Sequence, residues 1–277
     1  MELRRIAPGR EVGHLRDFLL RATPEDYLLE DLTEWVHEGR LWVGQEDGAW
    51  VAFGRLHDLG EGDGWVSGIR VLPNRRGQGL GGQLLETIVA DARSLGITTV
   101  RAVIEDRNAP SRRLFTRTGF QTVAELTLRR GLARKEVPAA LKRVSPGQPF
   151  DGPVGWLPAG IDRVDVLPGS DGGRFGRWRT PLLDRWTTEG KLYVGSGLAA
   201  AVQTDWWREP RTLWVNPLQG GVSELFPALD RLAHDLQHVE WQAFLPSTEE
   251  LRAEYDTRGA LRHPAWGDRV FLYERHV

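Results

Sequence analysis

Two segments of the chain share one residue pattern. The first reads LTEWVHEGRLWVG (32–44) and the second reads LDRWTTEGKLYVG (183–195); each gives Leu, Trp, Glu-Gly-basic and then Leu-aromatic-Val-Gly. Further pairs follow in the same order: IAPG (6–9) with VLPG (166–169), VLP (71–73) with VNP (215–217), and FTRTG (115–119) with YDTRG (255–259). A diverged tandem duplication explains this order, and chance likeness between two helix–turn–strand segments is the alternative. The chain is therefore expected to fold as two similar domains.

The length and the prolines suggest where these domains meet. A chain of 277 residues suits two domains of ordinary size. Prolines recur at 138, 146, 149, 153 and 158, in a stretch without clear periodicity. We predict a first domain over 1–143, a linker over 144–160 and a second domain over 161–277.

The first half predicts a mixed α/β fold. RRIAP reads as a strand, VGHLRDFLLRA as a helix, and Thr23-Pro24 as the start of a second helix that ends at Gly39. Three strands separated by Gly and Asp turns then suggest an antiparallel meander. An apolar stripe from Leu84 to Leu95 predicts a long helix, followed by the strand TTVRAVIE and a short helix near 109–118. The position of the last strand of this half is left open.

Composition excludes several classes of protein. A hydrophobic fraction of 40% with 27% charged residues is typical of soluble globular proteins, and a net charge of −2 gives no reason to expect nucleic acid or membrane partners. No signal peptide or membrane span is evident, so a cytoplasmic protein is expected. Cysteine is absent, which excludes disulfides and cysteine-based covalent intermediates. His234 and His238 lie on the polar side of a predicted helix, so no metal is expected.

The segment RRGQGLGG (75–82) places four glycines in six positions. A Walker-type phosphate loop does not fit, because no Gly-Lys-Ser/Thr follows. Gly77, Gly79 and Gly82 satisfy the dinucleotide pattern G-x-G-x-x-G, but that pattern should directly follow the first strand of a parallel unit. Here three or more strands that read as antiparallel come first. A merely tight strand-to-helix turn needs one or two glycines rather than four.

The same segment, in its context, resembles the pyrophosphate loop of the GNAT acetyltransferase superfamily. A strand ending in Val71-x-Pro73 leads to Arg76-x-x-Gly79-x-Gly81, which opens a long helix. Downstream, NAPSRRLFTRTGF (108–120) resembles the family's Asn-x-x-(Ser/Ala)…Leu-aromatic-x-x-x-Gly-Phe segment. The resemblance implies two tandem acetyltransferase-like domains and acetyl-coenzyme A as co-substrate.

Helix-end chemistry gives independent support for an anion site. The first turn of a helix offers unpaired N–H groups and a partial positive charge, and glycines let those groups approach a pyrophosphate closely. The predicted cofactor-binding residues are Ile69, Val71, Arg75, Arg76, Gly77, Gln78, Gly79, Leu80, Gly81, Gly82 and Asn108.

The resemblance also implies a mechanism. The backbone amides of Ile69 and Val71 would meet the pantetheine arm and polarise the thioester, and Asn108 would bind the arm from the other side. An amine would then attack the acetyl carbon directly in a ternary complex. An alkyl amine must first lose a proton, so a carboxylate or a water chain leading to one is expected.

Two family positions carry different residues here. The glutamate that many members have on the strand before the loop is Trp65, and the tyrosine that protonates the leaving thiolate is Phe115. We predict that Glu105, at the end of the next strand, acts as the base and that Ser111 or water acts as the acid. A solvated strand-end charge is an equally good interpretation of Glu105.

The second half is expected to have lost the coenzyme site. Where the first copy has VLPNRRGQGLGG, the second has VNPLQGGVSELF, with neither arginine and with fewer glycines at the aligned positions. We expect a small-molecule or peptide amine as acceptor, and a monomer or homodimer. The alternative function is a non-catalytic acyl-coenzyme A sensor or regulatory protein, since both catalytic positions have changed.

Overall fold

A computed structural model describes residues 1–7, 9–30, 32–37, 40–138, 140–146, 148, 166–168, 175–177, 180–203, 211–264 and 266–277. The chain forms two compact units. The first comprises Met1–Ala102, Asn108–Gln121 and Tyr273–Val277, and the second comprises Val103–Arg107 and Thr122–Leu272. Each unit is thus made of segments from both halves of the sequence. The fold is of the mixed α/β class, with parallel and antiparallel strands in each unit.

The first unit has a sheet in the order β1-β2-β3-β4-β5. Its strands are β1 (Glu2–Ile6), β2 (Arg40–Glu46), β3 (Ala49–Gly60), β4 (Asp63–Val71) and the first part of β5 (Thr99–Glu105). Its helices are α1 (Val12–Ala22), α2 (Leu32–His37), α3 (Leu80–Ser94) and α4 (Ala109–Arg117), and 3₁₀ turns cover Tyr27–Glu30 and Pro73–Arg75. The strands from β1 to β4 are antiparallel, as the meander predicted, and β5 joins β4 in parallel.

The two faces of this sheet carry different helices. A Cβ at Gly54 of β3 would meet Leu84 and Ile88, so α3 covers the face that bears the even-numbered residues of β3. We call it the α3 face. Phe53 and Phe18 of α1 are ring neighbours at 6.4 Å, so α1 covers the opposite face, the α1 face. Alternation along a strand therefore assigns Arg55 and His57 of β3 to the α1 face.

The second unit repeats this arrangement. Its sheet has the order β6-β13-β12-β11-β10-β7, and β14 pairs with β6. The strands are β6 (Gln121–Leu132), β7 (Lys142–Arg143), β10 (Leu192–Gly195), β11 (Leu198–Gln203), β12 (Thr212–Gln219), β13 (Glu240–Pro246) and β14 (Leu261–Arg262), while β8 (Val166–Pro168) and β9 (Phe175–Arg177) pair with each other. The helices are α5 (Thr180–Thr188), α6 (Val222–Asp235) and α7 (Glu249–Thr257).

The units share a specific irregularity. In the first, β4 and β5 form a parallel ladder of three pairs that ends at Trp65 and Arg101. In the second, β12 and β13 form a parallel ladder of three pairs that ends at Trp214 and Gln242. The antiparallel partner of each first strand also has a shifted register. The duplication seen in the sequence is therefore repeated in the pairing of the strands.

The last strand of the sequence, β15 (Val270–His276), enters the first unit with its final residues. Val277 donates its N–H to the carbonyl of Thr98 at 2.9 Å. The Arg101 guanidinium, fully buried, donates Nε to Glu274 at 2.6 Å and Nη1 to Asp63 at 2.9 Å. A buried arginine is costly unless it is paired, so residues 273–277 stabilise the first unit as well as extending it.

Two sequence expectations need comment. The helix predicted from Thr23-Pro24 to Gly39 forms only over Leu32–His37, because Asp26 accepts the N–H of Leu28 at 3.1 Å in a local turn and the chain continues as a 3₁₀ turn. The strand left open is β6, Gln121–Leu132. Most of the predicted linker, 144–160, lies outside the described residues, so the domain boundaries drawn from the sequence stay predictions.

A second buried arginine stabilises the second unit. Arg129 of β6 has no exposed surface; it donates Nη1 to the Asp256 carboxylate of α7 and stacks on the Tyr255 ring at 5.7 Å. The hydrogen bond from Arg262 lowers the pKa of Asp256 below its usual value, and the hydrogen bond from Arg129 adds a smaller effect in the same direction. The stabilisation from the ionised Asp256 carboxylate is fully present above the ordinary carboxyl pKa. It is lost as the pH falls through the lowered pKa of Asp256.

We expect Asp256→Asn to lower the free energy of unfolding at pH 7 by about 3 kcal/mol, the low end for a broken buried pair, because solvent reaches the carboxylate. Asp235→Asn is the matched control. It breaks the exposed i,i+4 pair with Arg231, so a loss below ~0.5 kcal/mol is expected. Urea titrations between pH 3 and 7 measure both variants, and equal losses would contradict the role given to Arg129.

Candidate functional site

The candidate site begins where β4 and β5 separate. Beyond the pair Trp65–Arg101, β4 continues to Val71 without pairing with β5 among the described residues. Leu72 donates its N–H to Val51 of β3. Because successive N–H groups along a strand alternate in direction, the N–H of Val71 points away from β3, toward the open edge. The parting strands thus expose main-chain donors along β4.

A bulge lies in the same part of β4. Arg70 pairs with Phe53 and Ser67 with Arg55, so β4 has one residue more than β3 between these two pairs. Gly68, inside the bulge, has φ +69°, a conformation that glycine adopts without steric cost. Such bulges re-aim the backbone beside functional sites. Here the bulge turns the region around Ile69, a residue predicted to meet the pantetheine arm.

The glycine loop follows β4 and opens α3. Gly77 and Gly79 both have φ +79° and nothing within 4 Å of a Cβ, so each is required for its backbone conformation rather than for space. Gly81 and Gly82 differ: a Cβ there would lie 3.4 and 3.9 Å from Leu114 of α4. Gly79 is the N-cap, and α3 has neither a side-chain cap nor an acidic residue in its first turn. Among the described residues, the first N–H groups of α3 are left unbonded and carry the positive end of the helix dipole.

The two predicted arginines have different partners. The Arg75 guanidinium is bound by the Glu46 carboxylate. Arg76 donates Nε to the Val71 carbonyl at 3.2 Å and Nη2 to the Ala22 carbonyl at 3.4 Å, and no carboxylate contacts it within the described part of the chain. Arg76 therefore tethers the loop while its charge stays uncompensated.

Asn108 and Ser111 lie at the start of α4. Asn108 is the N-cap, and its Oδ1 accepts the N–H of Ser111 at 3.2 Å. This bond fixes the orientation of the amide, and the Nδ2 donor has no partner among the described residues. The Gln78 side chain, by contrast, is bound to the Asn74 carbonyl at 3.5 Å.

The positions that depart from the family are buried. Trp65 is 7% exposed and Phe115 is 4% exposed. Phe115 packs edge-on against Phe120 at 4.8 Å and against the ring of Tyr273 at 6.0 Å. Sequence reasoning missed Tyr273, because no local pattern says that the last strand joins the first unit.

Glu105 belongs to the second unit, where Arg107 of the same loop binds its carboxylate. Its predicted role as base stays a prediction.

The α1 face carries polar groups next to the open strand. Arg70 donates Nε at 2.6 Å and Nη2 at 3.2 Å to the buried Asp26 carboxylate, which lies between α1 and α2. Arg55 donates to the Ser67 hydroxyl at 3.4 Å. These contacts fix the loop that contains Asp26 against β4.

The second unit lacks this arrangement. Pro217, paired with Pro73 in the sequence comparison, does not follow its strand but lies inside β12, three residues after the last ladder pair, as Gly68 does in β4. Proline has no N–H to offer there. At the start of α6, Glu224 accepts the Ser223 hydroxyl at 2.7 Å, and this bond and one from its own backbone N–H lower its pKa. The helix end that would attract a pyrophosphate thus already has a carboxylate.

Two further observations concern ions and membranes. The described residues include no group of three or more His, Asp or Glu side chains arranged to hold a metal ion. None of the helices in the described segments is both long and apolar enough to cross a membrane.

Comparisons with known proteins agree with this geometry. Residues 12–120 match the model of the acetyltransferase (GNAT) family. A proposed acetyltransferase from Thermoplasma acidophilum has a TM-score of 0.63 at 16% identity, with full coverage of both chains. A tandem GNAT protein from the clavulanic acid biosynthesis pathway has 0.55 at 16%, covering 99% of this chain and 98% of that one. A GCN5-related N-acetyltransferase from Sphaerobacter thermophilus has 0.58 at 14%, covering 99% and 95%. No curated protein matches in sequence.

Residues 12–120 thus form a domain that matches the acetyltransferase (GNAT) family, and the whole chain is similar in fold to tandem GNAT proteins. The family match covers the unit that has the glycine loop, and the structural likeness covers both.

The loop contains two kinds of glycine, and substitution by alanine should affect the free energy of unfolding differently for each. Gly79→Ala places a side chain at φ +79° and should lower the free energy of unfolding by about 1 kcal/mol. Gly82→Ala lies in a regular helix with its nearest contact at 3.9 Å, so it should raise that free energy by about 0.5–1 kcal/mol. Urea denaturation compares the two, and a Gly82→Ala protein less stable than Gly79→Ala would contradict this interpretation.

Proposed function

We propose that the protein is an acetyl-coenzyme A-dependent N-acetyltransferase whose active site lies in the first unit. One observation carries the proposal: the exposed donors of β4 lead directly to a helix N-terminus with unbonded N–H groups. A pantetheine arm needs main-chain hydrogen-bond partners and a pyrophosphate needs an anion site, and this unit offers both in sequence. The second unit, with Pro217 and Glu224 at the matching places, does not bind the coenzyme.

The coenzyme contacts follow from this geometry. The pyrophosphate binds the N–H groups of residues 77–82, and Arg76 adds an uncompensated positive charge. The arm binds the edge of β4 at Ile69 and Val71, and the Nδ2 of Asn108 donates to it from α4. Arg75 supports the loop through Glu46 rather than contacting phosphate.

The reaction is direct transfer. The amine of a small molecule or peptide approaches from the α1 face, opposite the α3 face that carries the pyrophosphate loop, and attacks the thioester carbon. The chain has no cysteine to carry the acetyl group, which favours a ternary complex. We propose a monomer or homodimer without nucleic acid or membrane partners.

A second function rests on a specific observation. Trp65 and Phe115 stand where the family's base and acid would be. A sensor that binds acetyl-coenzyme A without turning it over would have these substitutions. Thiol release from acetyl-coenzyme A with a panel of amines separates the two functions, because a sensor binds without release.

We expect Gly79→Ala to weaken acetyl-coenzyme A binding about tenfold, because a helix-end anion contact contributes roughly 1–2 kcal/mol. Gly96→Ala is the matched control. Its φ is +77° and it too has nothing within 4 Å, but it ends α3 at the far end from the loop. Calorimetry measures both variants; equal affinity losses would mean that strain alone weakens binding, and the loop assignment would fail.

The same calorimetry tests the division between the units. We expect one acetyl-coenzyme A per chain, since the second helix end holds the Glu224 carboxylate. Glu224→Gln should leave this value at one, because the second unit still lacks the arginines and most of the glycines of the loop. Two sites of similar affinity in the native chain would contradict the proposal.

A further inference from the structure

The last residues of β15 lie beside both positions where the first unit has lost its family residues. Tyr273 packs on Phe115, and Glu274 binds Arg101, the ladder partner of Trp65. Adjacent residues of a strand point to opposite faces of the sheet. Tyr273 therefore points to the α3 face, with α4, and Glu274 to the α1 face.

The position of Glu274 suits contact with an amine. Trp65 and Arg101 are the last pair before β4 and β5 separate. A pantetheine arm that starts at the α3 N-terminus and follows β4 from Val71 reaches its thioester end near this pair. The Glu274 side chain is 14% exposed, so it is desolvated without being closed off.

Several charged and titratable groups surround Glu274. Arg101 is shared between Glu274 and Asp63, so two carboxylates meet one guanidinium. His276, 69% exposed, lies 3.3 Å from Glu274 Oε1, and its other ring nitrogen lies 3.3 Å from the Thr99 hydroxyl. His57, the cross-strand partner of Trp65, and Arg55 are further titratable groups on the α1 face. The partly exposed Glu274 carboxylate is a group that an ammonium can approach.

Arg101 also has an unused donor. Its Nη2 is buried and has no hydrogen-bond partner among the described residues. The Arg101 network thus offers a donor to an oxygen atom next to the separating strands.

The position of Tyr273 suits protonation of sulfur. Its ring is 3% exposed and lies against Phe115, the position of the family's thiolate-protonating tyrosine. No hydrogen bond to its hydroxyl is present in the described part of the chain. A tyrosine hydroxyl kept free of partners beside that position can donate a proton to a leaving thiolate.

We propose, on the basis of the function proposed above, that Tyr273 and Glu274 are the catalytic acid and base of the first unit. Glu274 accepts one proton from the acceptor ammonium, and the freed lone pair forms the C–N bond. The C–S bond breaks, and Tyr273 protonates the coenzyme thiolate. The tyrosinate regains its proton from the amide nitrogen through water. The proton on Glu274 leaves to solvent past His276, so that one proton is released per amide formed.

Tyr273→Phe and Glu274→Gln test the proposal in the full chain. With benzylamine or spermidine as acceptor, each variant should lower kcat of thiol release by about 10²-fold, the usual scale of acid–base catalysis, while the Kd of acetyl-coenzyme A stays unchanged. Glu274→Gln should remove the acidic limb of the kcat–pH profile, and Tyr273→Phe the alkaline limb. With aniline, which is unprotonated at pH 7, the Glu274→Gln defect should shrink.

Two controls separate catalysis from structure. Asp63→Asn removes the other carboxylate from Arg101 and should keep the acidic limb. Tyr255→Phe removes a buried hydroxyl that bonds to the Pro246 carbonyl in the second unit and should keep the alkaline limb. If Glu274→Gln does not fold, Glu274→Asp keeps the charge on Arg101 but withdraws the carboxylate, and it should still lose kcat.

The outcomes distinguish the two proposals. A native chain that binds acetyl-coenzyme A but releases no thiol with any amine contradicts the proposed function, and this inference with it. A native chain that turns over while Tyr273→Phe and Glu274→Gln keep kcat within threefold contradicts only the inference. Loss of the acidic limb in Asp63→Asn as well as Glu274→Gln would assign the effect to the Arg101 network rather than to Glu274.

Discussion

The interrupted pairing between β4 and β5 determines what the first unit can do. A strand with unpaired amides inside a sheet is unfavourable unless water or a ligand satisfies them. Here the parallel ladder ends after three pairs, and a bulge at Gly68 turns the released backbone. The glycine loop and the α3 N-terminus come directly after that strand in the chain. The open edge and the unbonded N–H groups of the α3 N-terminus are therefore consecutive parts of one path along the main chain.

The second unit has the same interrupted pairing but differs from the first at two places. It keeps the three-pair ladder and the shifted register, so its strands also separate. Pro217 places a residue without a backbone N–H inside β12, and Glu224 brings a negative charge to the start of α6. Both changes are small in sequence. In the proposed function, these two changes explain why the second unit does not bind the coenzyme.

Local patterns predicted much of this molecule and failed where contacts join distant parts of the sequence. The glycine loop, α3 and the meander have signals within a few residues, so these elements could be predicted from the sequence. The helix expected at Thr23-Pro24 was shortened because Asp26 makes a local turn and binds Arg70, 44 residues away. Tyr273 and Glu274 had no signal, because strand pairing between the two halves is not encoded in any short motif. Pro217 was misaligned because its Val-x-Pro pattern matched the loop while its place in the sheet matched Gly68.

Residues 273–277 belong to the unit that otherwise comes from the first 121 residues. During translation, β1 to α4 leave the ribosome long before these five residues exist, and domains generally fold as they emerge. Until then, the buried guanidinium of Arg101 lacks Glu274. The first unit therefore becomes complete only after residues 273–277 are synthesised. A chain truncated anywhere in its second half lacks this part of the first unit. As a result, complete folding of the first unit requires synthesis of the second half of the chain.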